Sequence, residues 1–449
     1  MRKRARTSLS ALVNVWKREV GEISTRNFAD SLTASEDLVL RLDVSRKLKE
    51  HRGRVNTVSF SADGDILVSS SNDRKVTLWD WETGKTVLSF HSGHDDYVSQ
   101  AKIMPHTDDR STVTCAADGQ VRRAQILERG YVSTNLLAKH QGLAPKLAIE
   151  PGSPNIFYTC GYDGLVQHID LRTEKATELF TCRPFWPRNY TSLTLSEIAV
   201  DPRNPYFFAV AGADEFARIF DMRKYSWDGS ADFGQPVDYF CPSHLVGIQD
   251  VGITGLSISD RSELLVSYFE EVIYLLTKDM GLGPDPSPIS PSLVYDSYEG
   301  EMDLDDRSDA SPPLDAGLNF GPPFYMGHKY GEELNGVTFF GPRCEYIAGG
   351  SDCGRIYIWN KKSREVVRVM EADRQCVSYV VSHPHTTVLA SCGMEPDTKI
   401  WTPKALDRAI LPTDVEKRRP KLSDPRIRYA TPWDEMCYFF SEPLEVGDA

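Results

Sequence analysis

The chain is 449 residues long, with 41% hydrophobic and 26% charged residues, which is ordinary for a folded globular protein. This composition excludes a wholly disordered or fibrous chain, and no apolar run reaches the ~20 residues of a membrane-spanning helix. The formal net charge of −13 argues against charge-driven binding to nucleic acid.

Neither the N terminus nor the cysteines indicate secretion. The start of the chain is basic but lacks the apolar core and cleavage site of a secretory signal peptide. The nine cysteines are an odd number without any Cys-x-x-Cys pair, so we expect neither a disulfide framework nor a structural zinc site. A reducing intracellular compartment is therefore favoured.

An amphipathic helix is predicted close to the N terminus. Its apolar residues recur at helical spacing and are Leu9, Leu12, Val13, Trp16 and Val20. Ser8 is a suitable N-cap and Gly21 a suitable C-terminal residue. The helix either packs on its own chain or docks on a partner, and we assign residues 1–44 to an N-terminal helical extension.

A repeat of about 45 residues dominates the chain from residue 45 to residue 402. Residues 55–79 read VNTVSFSADGDILVSSSNDRKVTLW, which is three short alternating apolar runs separated by turn residues. The third run of each copy ends at Trp79, Ala124, Ile169, Phe220, Leu276, Trp359 and Trp401. The spacings are 45, 45, 51, 56, 83 and 42 residues, so the fifth interval contains an insertion.

Polar residues keep the same register as the apolar runs. The residues six positions before the run ends are Asp73, Asp118, Asp163, Asp214, Glu270, Cys353 and Glu395. The histidines before the first runs are His51, His94, His140 and His328. In the first copy, we predict that His51, Asp73 and Trp79 form a hydrogen-bonded network that holds the turn against the strands.

These features resemble the WD40 repeat, which has about 40–45 residues, a Gly-His start and a Trp-Asp end, here Trp79-Asp80. The resemblance implies an all-β fold, a seven-bladed β-propeller over residues 45–402. Eight blades, with the eighth built from flanking residues, is the alternative. We expect Leu40–Leu48 to pair with the blade of Ile400–Trp401 and so close the ring.

An acidic insertion covers about residues 278–323. It is rich in Pro and Ser, and residues 296–309 contain seven acidic residues against one arginine. Such a segment buries too little apolar surface to fold, so we predict a disordered loop between the fifth and sixth blades. Ser287, Ser290 and Ser311 precede prolines and are candidate phosphorylation sites.

The tail, residues 403–449, combines a basic cluster at 417–421 with an aromatic patch at 433–440. We expect the patch to pack on the propeller rim or to meet a partner. A second basic cluster lies at residues 2–6. Such clusters are typical either of nuclear import signals or of ordinary surface charge, and we expect the protein in nucleus and cytoplasm.

Sequence motifs for catalysis are missing. There is no phosphate-binding loop, dinucleotide fingerprint, nucleophile elbow or His-Glu-x-x-His. His383 and His385 lack a third metal ligand, so a turn is favoured there over a metal site. We therefore expect no catalytic residue, metal or cofactor, although the channel of a propeller can host an enzyme site.

Two Asp-x-Arg steps occupy equivalent positions on successive repeats. Asp170 and Arg172 stand at the end of the third repeat, and Asp221 and Arg223 stand at the end of the fourth. Arginine suits bidentate pairing and is enriched at interface hot spots, so two arginines in register favour a docking site. The alternative is a pair of local surface ion pairs.

The two steps resemble the DWD box of WD40 substrate receptors for the cullin-4 RING ubiquitin ligase, with Ile169 and Phe220 where the box has Trp or Tyr. Longer segments, including KLAIEPGSPNIFYTCGYDGLVQHIDLR and HPHTTVLASCGMEPDTKIW, resemble the eighth member type of the cullin-4-associated factors. This resemblance extends from about Asn27 to Pro403.

The resemblance implies a substrate receptor that does no chemistry itself. The N-terminal helix with Trp16 and the arginines Arg172 and Arg223 would bind the adaptor, the large damage-specific DNA-binding protein subunit, and through it cullin-4 and the RING subunit. Another face would hold an unidentified protein substrate, without direct nucleic-acid or membrane binding. The alternative is a WD40 scaffold or a histone- or peptide-reading protein without a link to ubiquitin.

Overall fold

The fold is taken from a computed structural model of the chain. The structure describes residues 13–186, 191–225, 234–248, 251–269, 271–286, 321–328 and 336–412. Several predicted features lie outside these residues: Ser8, Leu9, Leu12, both basic clusters, Glu270, the acidic run 296–309, Ser287, Ser290, Ser311 and the C-terminal aromatic patch.

Within the described residues, the strands form seven four-stranded antiparallel sheets, so the predicted seven-bladed β-propeller is confirmed. Blade 1 consists of β2 (Val55–Phe60), β3 (Ile66–Ser71), β4 (Lys75–Asp80) and β5 (Lys85–His91); blade 2 of β6 (Val98–Ile103), β7 (Ser111–Ala116), β8 (Gln120–Ile126) and β9 (Val132–Lys139); and blade 3 of β10 (Lys146–Ile149), β11 (Ile156–Cys160), β12 (Leu165–Asp170) and β13 (Lys175–Thr181). Blade 4 consists of β14 (Leu195–Val200), β15 (Phe207–Gly212), β16 (Ala217–Asp221) and β17 (Asp238–Phe240); blade 5 of β18 (Ile253–Ile258), β19 (Leu264–Tyr268), β20 (Ile273–Leu276) and β21 (Phe324–Tyr325); and blade 6 of β22 (Val337–Phe340), β23 (Tyr346–Gly349), β24 (Arg355–Asn360) and β25 (Val366–Glu371). Blade 7 consists of β26 (Tyr379–Ser382), β27 (Leu389–Cys392) and β28 (Asp397–Thr402) with β1 (Asp43–Lys49). The third strand of every blade contains the residue predicted to end its repeat.

The ring closes through its N-terminal strand. β1 runs antiparallel to β28, with Val44 opposite Trp401 and Arg46 opposite Ile400. This is the pairing expected from the sequence, and it makes the seventh blade from both ends of the ring. Without β1, strand β28 would present an open edge of unpaired backbone groups.

The turns between the second and third strands of blades 1, 2 and 3 share one backbone geometry. Gly119 and Gly164 have φ angles of 72° and 78°, in the left-handed region that glycine adopts without steric cost. In the first blade Arg74 takes this conformation, with φ at 62°. The turn of blade 1 therefore keeps the left-handed residue although it has no glycine at that position.

The apolar core lies between neighbouring blades. Trp79 of blade 1 belongs to one buried cluster with Leu48 of β1 and Ala390 and Ile400 of blade 7. Val68 of blade 1 belongs to another cluster, which extends into blade 2. Since each sheet buries its faces against the sheets beside it, every blade depends on both neighbours for its stability.

The acidic insertion lies inside blade 5, so the prediction that it joins blades 5 and 6 is wrong. β21 pairs with β20, with Ile273 opposite Tyr325, and the insertion therefore connects the third and fourth strands of one sheet. The sequence did not reveal this because β21 is only two residues long.

The start of the insertion is also later than predicted. Residues Lys278–Met280 form a short 3₁₀ turn. The Leu282 N–H then donates to the Tyr239 carbonyl at 2.8 Å, and the Gly283 N–H donates to Asp238 at 2.7 Å. These bonds tie the segment to β17 of blade 4, whereas residues 287–320 lie outside the described part of the chain.

Three helical segments precede the ring, where the sequence predicted one. α1 covers 13–19 among the described residues, and α2 (Thr25–Thr33) and α3 (Glu36–Leu40) follow it. The predicted end at Gly21 is present: its φ is 78°, and the N–H groups of Gly21 and Glu22 donate to the carbonyls of Arg18 and Lys17, closing the helix. Among the described residues, no helix is long and apolar enough to cross a bilayer.

The ring has two faces, which we define by their turns. The lower face carries the turns between the first and second strands and between the third and fourth strands of each blade. The upper face carries the turns between the second and third strands and the connections from one blade to the next. Because consecutive strands are antiparallel, this assignment holds for every blade.

Candidate protein-docking face

The histidine network of blade 1 lies on the upper face and contains all three predicted residues. The His51 Nδ1 lies 3.2 Å from Asp73 Oδ2, and its Nε2 lies 2.7 Å from Ser69 Oγ. The Trp79 Nε1–H donates to the same Ser69 Oγ at 2.8 Å. Ser69 is therefore the link between histidine and tryptophan, and the sequence analysis missed it.

Blades 2 and 3 repeat this network without the tryptophan. His94 Nδ1 lies 3.1 Å from Asp118, and its Nε2 lies 2.9 Å from Thr114 Oγ1. His140 contacts Asp163 and Thr159 in the same way, at 3.2 and 3.0 Å. The missed signal was a Ser or Thr ten residues before each third-strand end, at positions 69, 114 and 159.

The network carboxylates are held ionised. Burial alone would raise the pKa of Asp73, but hydrogen bonds from His51 and from the backbone N–H groups of Arg52 and Lys75 outweigh it and lower the pKa to about 2. The pKa values of Asp118 and Asp163 are also lowered, because bonds from the histidines and from backbone N–H groups outweigh burial. These buried contacts stabilise turns, and they present no free group to a ligand.

In blades 4 and 7, buried ion pairs stand in place of the histidine network. The Arg218 guanidinium donates from Nη1 to Asp214 at 2.8 Å. Lys399 Nζ donates to three carboxylates, those of Asp373, Glu395 and Asp397. Among the described residues these three acids form the one group of acidic, His or Cys ligands close enough to share a metal ion, but the Lys399 ammonium already bonds to all of them.

His383 and His385 occupy a turn between the first two strands of blade 7. The Nε2 of His383 lies 3.1 Å from the Gly64 carbonyl, and its Nδ1 accepts the N–H groups of His385 and Thr386 at 3.0 Å. Both ring nitrogens of His383 are therefore engaged by backbone, which leaves neither of them for a metal.

Arg172 is the first of the two predicted docking arginines. It follows β12 on the lower face, and 63% of its side chain is exposed. Its Nε and Nη2 donate to the two carboxylate oxygens of Asp170 at 3.0 and 2.7 Å. This bidentate pair lowers the pKa of Asp170 and fixes the guanidinium plane, so that Nη1 remains for a partner.

Arg223 repeats this arrangement one blade further. Its Nε and Nη2 donate to Asp221 at 2.9 and 2.8 Å, and 57% of its side chain is exposed. The guanidinium also lies 5.4 Å from the ring centroid of Tyr206 and 5.2 Å from that of Phe207, within cation–π range. Tyr206 is itself 57% exposed, which adds an aromatic side chain beside the arginine on the lower face.

The N-terminal helices pack on the lower face as well. The Tyr346 hydroxyl donates to the Ala34 carbonyl at 3.0 Å, and the Thr387 hydroxyl donates to the Thr33 carbonyl at 2.8 Å. Thr387 lies in a lower-face turn of blade 7, and Arg343 in the matching turn of blade 6 donates to Asn27 at 3.0 Å. The chain after β28 adds to this layer, because the Ala405 N–H donates to the Arg41 carbonyl at 3.1 Å.

Trp16 is exposed on this helical layer. α1 contacts α2 through a hydrogen bond of 3.0 Å from Asn14 to Ser31 and through Arg18, whose guanidinium lies 4.9 Å from the Phe28 ring centroid. Trp16 remains 56% exposed. The structure thus places Trp16 and the two Asp–Arg pairs on one face but on different blades, with the helices over blades 6 and 7 and the arginines on blades 3 and 4.

Comparison with known proteins finds one matching repeat family and several similar proteins. The WD domain, G-beta repeat family matches residues 43–80. The protein ALTERED SEED GERMINATION 2 of Arabidopsis thaliana is 29% identical over 279 residues, which is 55% of this chain and 37% of that protein. The DDB1- and CUL4-associated factor 6 of Homo sapiens is 28% identical over 271 residues, 59% of this chain and 31% of that protein.

The WD and tetratricopeptide repeats protein 1 of Homo sapiens is 27% identical over 209 residues, covering 46% of this chain and 30% of that protein. The chain thus spans about a third of the length of these curated relatives. One segment of the chain thus matches the WD repeat, the fold is a seven-bladed ring, and part of the chain is similar to the DDB1- and CUL4-associated factor 6.

Proposed function

We propose that the chain is a substrate-recognition subunit of a cullin-4 RING ubiquitin ligase, which docks on the adaptor DDB1 through its lower face. The observation that carries the proposal is the pair of exposed guanidinium groups on neighbouring blades, each fixed by a bidentate bond to its own aspartate. The relationship to a factor named for association with DDB1 and CUL4 supports the same partner.

The geometry favours docking over a purely local role for these pairs. A guanidinium already held in one orientation loses little further freedom when a partner binds, which lowers the entropic cost of association. Arg172 and Arg223 keep Nη1 for a partner while their charge is balanced by Asp170 and Asp221. Trp16, on the same face, supplies the kind of exposed aromatic anchor that is enriched at interface hot spots.

In this function the chain binds and positions proteins and catalyses nothing. Ubiquitin transfer belongs to the RING subunit and the ubiquitin-conjugating enzyme, and the receptor contributes proximity between a substrate lysine and the activated ubiquitin. The upper face and rim remain for the substrate while the lower face meets the adaptor. The two basic clusters support a nuclear and cytoplasmic location for this work.

The test is co-precipitation of DDB1 with the Arg172→Ala/Arg223→Ala double variant. We expect binding to fall roughly tenfold or more, as for interface arginines, with little change in melting temperature. The matched control is Arg203→Ala/Arg261→Ala, which removes two other exposed arginines from lower-face turns of blades 4 and 5. Trp16→Ala is expected to weaken binding in the same direction.

Three outcomes would overturn the proposal. Equal loss of DDB1 in the test and control variants would show that only general charge matters, and undiminished binding in the test variant would remove the arginines from the interface. If wild-type chain purified from cells brings down neither DDB1 nor cullin-4, the protein is a WD40 scaffold without a ubiquitin link.

A further inference from the structure

The centre of the ring contains a cavity of about 230 Å³ among the described residues. It is lined by the innermost strands of blades 2 to 7, and its polar lining includes Gln100, Lys102, Lys146, Glu197, Thr338 and Tyr379. Ligand pockets for drug-sized molecules begin near 300 Å³, so this cavity suits a small ion or a single side chain.

One lysine of the cavity is already neutralised. Lys146 Nζ lies 3.2 Å from Glu197 Oε1 and 4.3 Å from the ring centroid of Tyr379. Burial would lower the pKa of Lys146, but the charge of Glu197 outweighs this effect and raises it. Burial raises the pKa of Glu197, and the contact with Lys146 opposes that rise, so the two groups form a salt bridge in the wall.

The second lysine, Lys102, has no such partner. Its Nζ donates to the Leu147 carbonyl at 2.9 Å, which satisfies one of its three N–H donors. Burial and the nearby charge of Lys146 lower the pKa of Lys102 to about 8. Among the charged residues that line the cavity, two lysines face one glutamate, so the cavity carries one uncompensated positive charge.

We propose that Lys102 is the centre of a carboxylate-binding site in the central channel, beside the Lys146–Glu197 pair. A carboxylate in the cavity accepts the unused N–H donors of Lys102 and balances the excess charge, forming charge-assisted hydrogen bonds. The carboxylate belongs either to a small organic acid or to an Asp or Glu side chain of a bound protein. This site is independent of adaptor docking on the lower face.

The test follows the reactivity of Lys102 toward acetic anhydride, measured by mass spectrometry on the full chain at pH 7. The anhydride acylates the neutral amine, and a bound carboxylate favours the ammonium form. Sodium glutarate, compared with sodium chloride at equal ionic strength, is expected to slow acylation of Lys102 roughly fivefold to tenfold, since a rise of one pKa unit cuts the free amine about tenfold. Lys139, exposed on β9, is the internal control, and its labelling should not change.

A second probe identifies the source of the carboxylate. The blocked pentapeptide Ac-Ala-Ala-Glu-Ala-Ala-NH₂ protecting Lys102 better than glutarate would indicate a protein side chain, and the reverse would indicate a small acid. Lys102→Met should abolish the saturable rise in melting temperature that the effective probe gives, whereas Lys139→Met should keep it. The proposal is overturned if neither probe protects Lys102, if Lys139 is protected equally, or if Lys102→Met responds like the wild type. If Lys102→Met does not fold, the protection of Lys102 in the wild-type chain is the result that supports or overturns the proposal.

Discussion

A substitution of Asp73 tests how much one histidine network contributes to the stability of the ring. We consider Asp73→Asn, which keeps the shape of the side chain and removes its charge. His51 and the N–H groups of Arg52 and Lys75 then face a neutral amide in place of a carboxylate. The variant should be less stable at neutral pH, because hydrogen bonds to a charged acceptor are the stronger ones.

The pKa of Asp73 sets the magnitude. A pKa lowered from 3.8 to about 2 corresponds to about 2.5 kcal/mol of unfolding free energy, at about 1.4 kcal/mol per pKa unit. The side chain is 10% exposed, so solvent screens this contribution little. Because the folded pKa lies below the unfolded one, the contribution is complete above about pH 5 and is lost as the pH falls from there through about 2.

The assay is urea unfolding of the wild type and the variant between pH 7 and pH 3. We expect a deficit of about 2.5 kcal/mol at pH 7 that shrinks to about half near pH 3, because Asp73 of the unfolded wild-type chain is protonated below about pH 4. Asp63→Asn, on an exposed turn of the same blade, is the control and should show no such trend. A deficit that stays constant with pH would refute the argument that the charge of Asp73 carries the stabilisation.

Two further predictions concern ring stability. Lys399→Met leaves three neighbouring carboxylates without their cation. We therefore expect the free energy of unfolding in urea to fall by about 3–5 kcal/mol, and by less at acidic pH, where the carboxylates are protonated. The control, Lys47→Met on the exposed side of β1, should change it little. Deleting residues 1–49 removes β1 and should abolish the cooperative melting transition seen by circular dichroism, while deleting residues 1–24 should preserve it; a ring that melts normally without β1 would show that closure is dispensable.

The repeat could be predicted because its signals are local. Each third strand carries an apolar run after a tight turn, so Trp79, Ala124, Ile169 and the later run ends marked the strands correctly. The last strand of blade 5 could not be found, since two residues carry no recognisable period and a long insertion separates them from β20. The pairing of β21 with β20 depends on the neighbouring sheets, and the local sequence pattern carries no information about them.

The candidate sites show the same limit. The Asp-x-Arg steps predicted either a docking site or local ion pairs, and the structure has bidentate bonds from Arg172 to Asp170 and from Arg223 to Asp221. The sequence did not predict the approach of Lys102 to Lys146, because the two residues lie on different blades and meet only when the ring closes. Contacts across the axis of a propeller depend on how many blades it has and on the tilt of the sheets, and the sequence of a single repeat predicts neither.

The pairing of Asp43 with Thr402 determines when the protein can finish folding during its synthesis. β1 emerges from the ribosome long before β28, and at roughly 5–20 residues per second the wait is on the order of half a minute. During this time the edge of β1 that later pairs with β28 is unpaired and open to wrong partners, as for any exposed strand edge. The final step therefore joins the two most distant strands of the chain, and its slow search is the period in which a nascent ring most depends on chaperones.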